Sequence, residues 1–564
     1  MRKRWRYITS ILMIMAMLLT GCTTSQENQT KSNTSGTTTA QTETIATSSS
    51  VVVDKEFTAN DLDVGYEDST STHITLEGSD IVVSGDGATA RDGVVTISSK
   101  GTYVIAGTLQ NGQIIVDAGD ADKVQLVLNG ISVTCSDNAP IYIKNADKTF
   151  ITLGDGTINN LIDGKEYVQS DDNNVDGVIY SKSDLTINGD GTLNITGNYK
   201  HGIASKDDLV ITGGTYNITA VKDAINGKDS VKIKDGTFIL SATLGNGIQS
   251  KNGDDTTKGF VYIYGGTITI TKCMEGIEGT AIIIEGGTID IIAEDDGLNA
   301  TSGTSDTTEV TTMDTVAETL PEALPVATTD ADSSATTEET TDQAGFIAPG
   351  KGEFGGGGGM FEVDTNAYIS ITGGMVTIDA LGDGIDSNGT LYISGGNIYV
   401  SGPTNSGNGG LDYNGTAEIT GGIIIVAGSS GMAQGFSDTS RQYSLLYNFT
   451  TTVEAGMEVK LTDQEGKVVA NYTPNKLYQS VVISTPELTK DETYTLTAGS
   501  QTADITLSSI VTSNGQQGMM GQGNQVRQGI QRGQGAQPGK DGMARPGAGN
   551  VTEGTENPNN NLVE

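Results

Sequence analysis

Residues 202–223 read GIASKDDLVITGGTYNITAVKD. Two apolar pairs with a one-residue gap, Leu209/Ile211 and Tyr216/Ile218, stand on either side of Gly213-Gly214-Thr215. Alternation with period two marks strands, and a glycine pair between strands supplies a turn that needs positive φ. A similar unit returns through half the chain. Aligned on its first aliphatic, it gives Ile179, Ile203, Ile225, Ile248, Ile277, Leu298, Ile385 and Leu411, at spacings of 24, 22, 23, 29, 21, 87 and 26 residues. The value of 87 is one unit carrying an insertion, and insertions in repeat arrays fall on loops.

Three short strands per unit with no helical periodicity describe one coil of a right-handed parallel β-helix, an all-β solenoid. One coil cannot bury its own aliphatics, whereas coils stacked at about 4.8 Å form a continuous core. Ile203, Leu209, Ile211, Tyr216 and Ile218 are the expected inward layer of the opening coil. The coils are expected over residues 69–300, beginning with an N-terminal cap, and over 360–440, with a small all-β cap at 441–512 closing the stack. The segment 301–359 is a Thr-rich, acidic and then Gly-rich insertion.

The ends are of another kind. Arg2, Lys3, Arg4 and Arg6 precede an apolar run that closes in Leu19-Thr20-Gly21-Cys22. A basic start and a short apolar core make a secretory signal, too short for a permanent span. Its last four residues resemble a bacterial lipobox, so residues 1–22 are expected to be a lipoprotein signal with Cys22 lipidated. The protein is then exported and held at the cell membrane by that lipid, facing outward. Residues 23–68 are read as a disordered tether and 513–564 as a disordered Gly/Gln-rich tail, since neither can bury enough apolar surface to order itself.

The formal net charge of -38 makes nucleic acid a poor partner, because it demands a basic face, and makes divalent cations plausible ones. Cys135 and Cys273 do not make a disulfide framework and are expected to be buried as small hydrophobes. Nothing in the sequence sets an oligomeric state.

The run VQLVLNGISVTCSDNAPIYIKNADKTFITLGDGTINNLID, followed by IYSKSDLTINGDGTLNIT and GIASKDDLVITGG, resembles the exported bacterial carbohydrate-binding domain-containing β-helix family. The resemblance spans roughly residues 69–508 and implies binding of calcium and of pectic, polygalacturonate-type polysaccharide, with no established catalytic role. It brings no residue-level motif, so the candidate sites come from the repeat itself.

Three residues after Ile141, upstream, and after the anchors Ile179, Ile203, Ile225 and Ile248, on the outward side, stand Lys144, Lys182, Lys206, Lys228 and Lys251, a lysine column suited to an acidic polysaccharide. One residue after the anchor come Tyr142 and Tyr180, placed to stack on sugar rings. The lysines have a plainer reading too, as partners of nearby carboxylates such as Asp207, Asp208 and Asp229. Further along, the same face offers Glu275, Glu278, Asp296, Asp383, Asp386 and Asp412 within four adjacent coils. Like charges stacked at about 5 Å repel by roughly 1 kcal/mol or more per pair at a surface dielectric. Calcium, which tolerates irregular oxygen sets, would relieve this; a solvated acidic face is the alternative. Asp172-Asn173-Asn174-Val175-Asp176-Gly177 matches the first half of an EF-hand loop, with Asp172 and Asp176 as ligands, although its twelfth position is Ser183 rather than Glu.

Parallel β-helices also host pectin-cleaving enzymes. A lyase needs a base for the proton α to the uronate carboxylate, commonly Arg or Lys beside calcium. No arginine occurs between residues 174 and 435, and the lysine column and acid cluster occupy mostly different coils. Non-catalytic, calcium-dependent binding of an acidic polysaccharide is the reading preferred. A surface adhesion or structural protein without glycan specificity, and a calcium-dependent pectate-type lyase, are the alternatives.

Overall fold

The computed structural model describes residues 51–303 and 362–514. The signal with Cys22, the tether up to residue 50, nearly all of the insertion and the tail from residue 515 lie outside the described residues.

The repeat folds as strands. The opening stretch supplies His201–Ser205, Asp208–Ile211 and Thr215–Ala220. Each pairs in parallel with its equivalents one repeat before and one after. Ile203 lies opposite Ile179 and Ile225, Leu209 opposite Leu185 and Val231, and Tyr216 opposite Leu193 and Phe238. The first strands of the repeats lie in a 12-stranded sheet, and the second and third strands lie in a 25-stranded sheet. The anchors continue in register through Ile248, Ile277, Leu298, Ile385 and Leu411. Leu298 pairs directly with Ile385, so the insertion leaves the ladder without shifting it.

All five residues expected to point inward from the opening coil are buried, within one apolar cluster that runs the length of the ladders. Each such aliphatic, fully buried, contributes about 1.5–3 kcal/mol. Aromatics stack as the register dictates: the Tyr216 and Phe238 rings lie 4.7 Å apart at 5°. Cys135 and Cys273 are buried and free, as expected. The glycine pairs hold the turn. Gly374 has φ of +86°, and a Cβ there would come within 2.9 Å of Gly286 and Gly287 backbone atoms in the neighbouring turn.

The ladder changes character at both ends. Thr72–Gly78 pairs antiparallel with Asp80–Ser84, and Ala88–Arg91 with Val94–Ile97. At the other end the last repeat strand, Ile423–Gly428, pairs antiparallel with Tyr478–Ser484. A four-stranded antiparallel sheet of Val468–Tyr472, Val459–Thr462, Thr493–Ala498 and Gln501–Thr506 completes this C-terminal module around its own core. Among the described residues no helix is long and apolar enough to cross a membrane.

Residues 51–68, read from composition as part of a disordered tether, are a correction. They form an ordered strap across the outer face of the second strands. Val51, Val53 and Phe57 pack on Phe260, Tyr262, Ile283 and Tyr368, and Phe57 stacks on Tyr262 with centroids 5.8 Å apart. Lys232 Nζ reaches Asp54 Oδ2 and the Glu56 carbonyl, both at 2.8 Å. At the turn Ala59–Leu62, Thr58 and Asp61 form a capping box. The buried Asp61 carboxylate meets Lys148 Nζ at 2.8 Å and accepts from the Thr186 hydroxyl at 2.6 Å. A few apolar residues suffice because the ladder supplies the other half of every contact, which a composition average does not register. Burial alone would raise the Asp61 carboxyl, but Lys148, Thr186 and Thr58 hold it down at about 2.

Replacing Asp61 by Ala leaves Lys148 without its partner under the strap. The expected cost is about 3–5 kcal/mol, the range for breaking a buried pair. Urea unfolding of the full chain reads it, and a change under about 1 kcal/mol would mean that the strap does not hold the ladder.

Candidate functional site

The acidic face is built by register. Position by position, Gln249, Glu278, Asn299, Asp386 and Asp412 lie side by side on successive strands. Two residues before each anchor, at the turn, Glu275, Asp296 and Asp383 form a second column.

The structure divides the six predicted acids. Glu278 is buried and meets Lys251. It accepts from Asn246 Nδ2 at 2.5 Å and also from the Gln249 amide. Glu275 takes the Asn299 amide nitrogen at 3.0 Å, and burial followed by the charge of Glu278 pushes its carboxyl up. This pair is thus served by amides and a lysine. Asp296, Asp383 and Asp386 form the other group, with one carboxylate oxygen of each within 4.8 Å of the others. Among the described residues their hydrogen bonds come from backbone: Asp383 N–H donates to Asp296 Oδ1 at 2.6 Å, and Gly409 N–H to Asp383 Oδ1 at 2.5 Å. Asp412 flanks them and accepts from Gln434 Nε2 at 2.8 Å.

Three carboxylates this close repel by about 3 kcal/mol per pair at an effective dielectric of 20. Burial first, then the neighbouring aspartates, pushes Asp296 up to about 7, Asp383 to about 6 and Asp386 to about 8. Asn299 adds a second sign of incompleteness. Its amide nitrogen is turned back to Glu275, while its buried Oδ1 has no hydrogen-bond partner among the described residues. Three carboxylates and a spare amide oxygen, all hard oxygen donors, fit a calcium-type cation.

Elsewhere on the face the geometry corrects the sequence reading. Tyr142 and Tyr180 are each 1 % exposed and are not open to a sugar. The loop that resembled half an EF-hand covers them: the Tyr142 hydroxyl donates to Asp171 Oδ2 at 2.8 Å, and the Tyr180 hydroxyl to the Asn173 carbonyl at 2.6 Å. Within that loop Asp176 is paired with Lys206 Nζ at 3.2 Å, and Asp172 is exposed. Four lysines of the column are ion-paired. Lys144 meets Asp117 at 3.5 Å and Asp171 at 3.8 Å, Lys206 meets Asp176, Lys228 meets Asp254 at 2.5 Å, and Lys251 is turned into Glu278. Lys182 is exposed and, among the described residues, has no carboxylate within ion-pair distance. The plainer lysine reading therefore fits four of five, though with other partners than the adjacent aspartates; Asp229 is taken by Lys258.

Sequence reasoning missed Asn299 and Asn246, whose amides divide the acids, and a second carboxylate group of Asp184, Asp207 and Asp208. Asp207 is pushed up to about 6 by burial and by Asp229 and Asp184. The Asp207-Asp208 pair was visible in the sequence, and register brings Asp184 beside Asp208, since Leu185 pairs with Leu209.

The model of the family described as carbohydrate-binding domain-containing protein matches residues 91–354. Over that stretch, just under half of its length, the chain is similar to this family. A carbohydrate-binding domain-containing protein of Acetivibrio thermocellus is 42% identical over 137 residues, 24% of this chain and 48% of the relative. The chain thus spans about half the length of that curated relative. A solved structure described as a polysaccharide lyase-like protein from C. thermocellum, gadolinium derivative, is 33% identical over 41% of this chain and 92% of its own, with a TM-score of 0.36. The carbohydrate-binding family match includes Glu275, Glu278 and Asp296 and stops before Asp383, Asp386 and Asp412, so the carboxylate group straddles its boundary.

The raised carboxyls set a pH dependence. A folded-state pKa above the unfolded value gives stability that is present below about pH 4 and is lost as pH rises through the folded values. For Asp296, Asp383 and Asp386 the loss runs from about pH 4 to about 8. In chelator, the thermal midpoint of the full chain is expected to fall across that window. Asp386→Asn should flatten the fall; an unchanged slope would mean that these carboxyls titrate normally.

Proposed function

We propose that the chain is a cell-surface lipoprotein, anchored through Cys22, that binds an acidic, polygalacturonate-like polysaccharide with calcium and without cleaving it. In this reading the parallel sheets close into a right-handed parallel β-helix, and the first-strand face is the binding face.

The observation that carries the proposal is the convergence of Asp296, Asp383 and Asp386 beside the unpartnered Asn299 oxygen. Bound calcium would supply positive charge that both relieves the three carboxylates and bridges to a uronate on the glycan. The chain's own part is to hold the oxygen donors at fixed spacing on a rigid ladder, with the backbone N–H groups of Asp383 and Gly409 orienting two of the carboxylates. Asp383 and Asp386 are only half-buried, which leaves one side of the group open to a ligand. Lys182 is a further point of attraction for a polyanion. The family description, carbohydrate-binding domain, supports a glycan partner and suggests a non-catalytic role. The basic group that a lyase would need beside the metal has no candidate in the lysine column, since its nearest member in sequence, Lys251, is committed to Glu278.

Calorimetric titration of the full chain with polygalacturonate tests this, with calcium and with chelator, while ultraviolet absorbance follows unsaturated uronide products. Saturable binding only with calcium, weakened at least about tenfold by Asp386→Ala as expected for a lost charged ligand, with no product, is the expected result. Product formation would make the protein a lyase. Absence of binding in both conditions would leave a surface scaffold.

A further inference from the structure

A second surface lies where the C-terminal module leans on the third strands of the repeats. Lys476 Nζ meets Asp379 Oδ1 at 2.7 Å, Asn475 Nδ2 donates to Asp379 Oδ2 at 2.5 Å, and the Tyr472 ring lies 5.4 Å from that of Tyr399. Between module and ladder is a cleft of about 190 Å³. One wall is Tyr472 and Asn475; the floor is a row of outward side chains placed opposite one another by register, Thr269, Asp290 and Thr377, with Ile292 beside them.

The half-buried Thr269 and Thr377 hydroxyls and the exposed Asp290 carboxylate make no side-chain hydrogen bond or ion pair among the described residues. They stand at the strand spacing of about 4.8 Å. Ile292, with 55 % of its surface exposed, is an apolar step in the same cleft. We propose that this cleft is a second glycan subsite, and that it takes one neutral sugar residue.

The chemistry selects that ligand. A pyranose has an apolar C–H face, which suits Ile292 and the Tyr472 ring, and a hydroxyl edge, which suits two threonines and a carboxylate acceptor. Hydrogen bonds to an ionised acceptor are roughly twice as strong as neutral ones. A uronate is disfavoured, because the one uncompensated charge in the cleft is the negative Asp290. Lys476, the nearby cation, is held by Asp379 and by the Ala380 carbonyl. The volume lies below the roughly 300–1,000 Å³ of pockets for drug-sized ligands, which fits one sugar unit or a side branch rather than a chain. Such a subsite needs no metal and is independent of the calcium-dependent face.

The test is titration of the full chain, in chelator, with cellotetraose, linear galactotetraose and trigalacturonate, read by saturation-transfer NMR and calorimetry. The expected result is saturable binding of at least one neutral oligosaccharide and none of trigalacturonate. Asp290→Ala, an exposed site whose loss leaves the thermal midpoint in place, should weaken it about tenfold, the worth of one hydrogen bond to a charged group. Asn475→Ala checks the opposite wall. Calcium-dependent polygalacturonate binding, measured on the same preparations, should be unaffected by Asp290→Ala, so the two readings fail separately. Absence of saturable neutral-sugar binding, equal affinity in Asp290→Ala, or equal binding of trigalacturonate would overturn the proposal.

Discussion

Parallel, in-register stacking governs this molecule. Each residue of a repeat lies about 4.8 Å from its equivalent in the next, so whatever the sequence repeats, the structure sets side by side. Applied to aliphatics, this makes a core. Applied to Gly-Gly turns, it makes a column of positive-φ positions whose backbones approach so closely that Gly374 has no room for a Cβ. Applied to charge, it makes a problem that each part of the face solves differently.

The solutions are local and chemical. Where glutamates stack, amides and a lysine are interleaved: Asn246, Gln249 and Lys251 serve Glu278, and Asn299 serves Glu275. Where Asp296, Asp383 and Asp386 stack, the described residues offer them backbone N–H groups alone, and the carboxyls instead hold their protons to higher pH. A stack built for stability alone would have continued the amide pattern. Its interruption over three aspartates, next to an amide oxygen with nothing to accept, is what separates a candidate site from a merely acidic surface. On the lysine half, neutralisation is nearly complete, and the tyrosines that might have met a sugar serve as the seat of a loop.

The surfaces added to the ladder matter as much as the ladder. The strap at residues 51–68 lays Asp54 and Asp61 on Lys232 and Lys148, across strands more than eighty residues apart in sequence. The C-terminal module ends the parallel pairing by presenting Tyr478–Ser484 antiparallel to Ile423–Gly428, which satisfies an edge that would otherwise recruit another chain. In doing so it encloses the cleft beside Tyr472.

The sequence by itself determined the ladder. Period-two aliphatics, glycine turns and a constant anchor spacing leave few other ways to bury apolar surface, and the anchors from Ile179 to Leu411 pair as their alignment implies, across the insertion as well. Register also made it legible that Asp296, Asp383 and Asp386 would meet. Tertiary structure alone decided which outward side chains remain outward. Whether Tyr142 is exposed depends on a loop some thirty residues later; whether Lys206 is free depends on Asp176; whether Glu278 can hold a cation depends on Lys251. Inward positions are fixed by the repeat's own periodicity, whereas the fate of an outward residue is set by segments that do not repeat, and no periodicity encodes them.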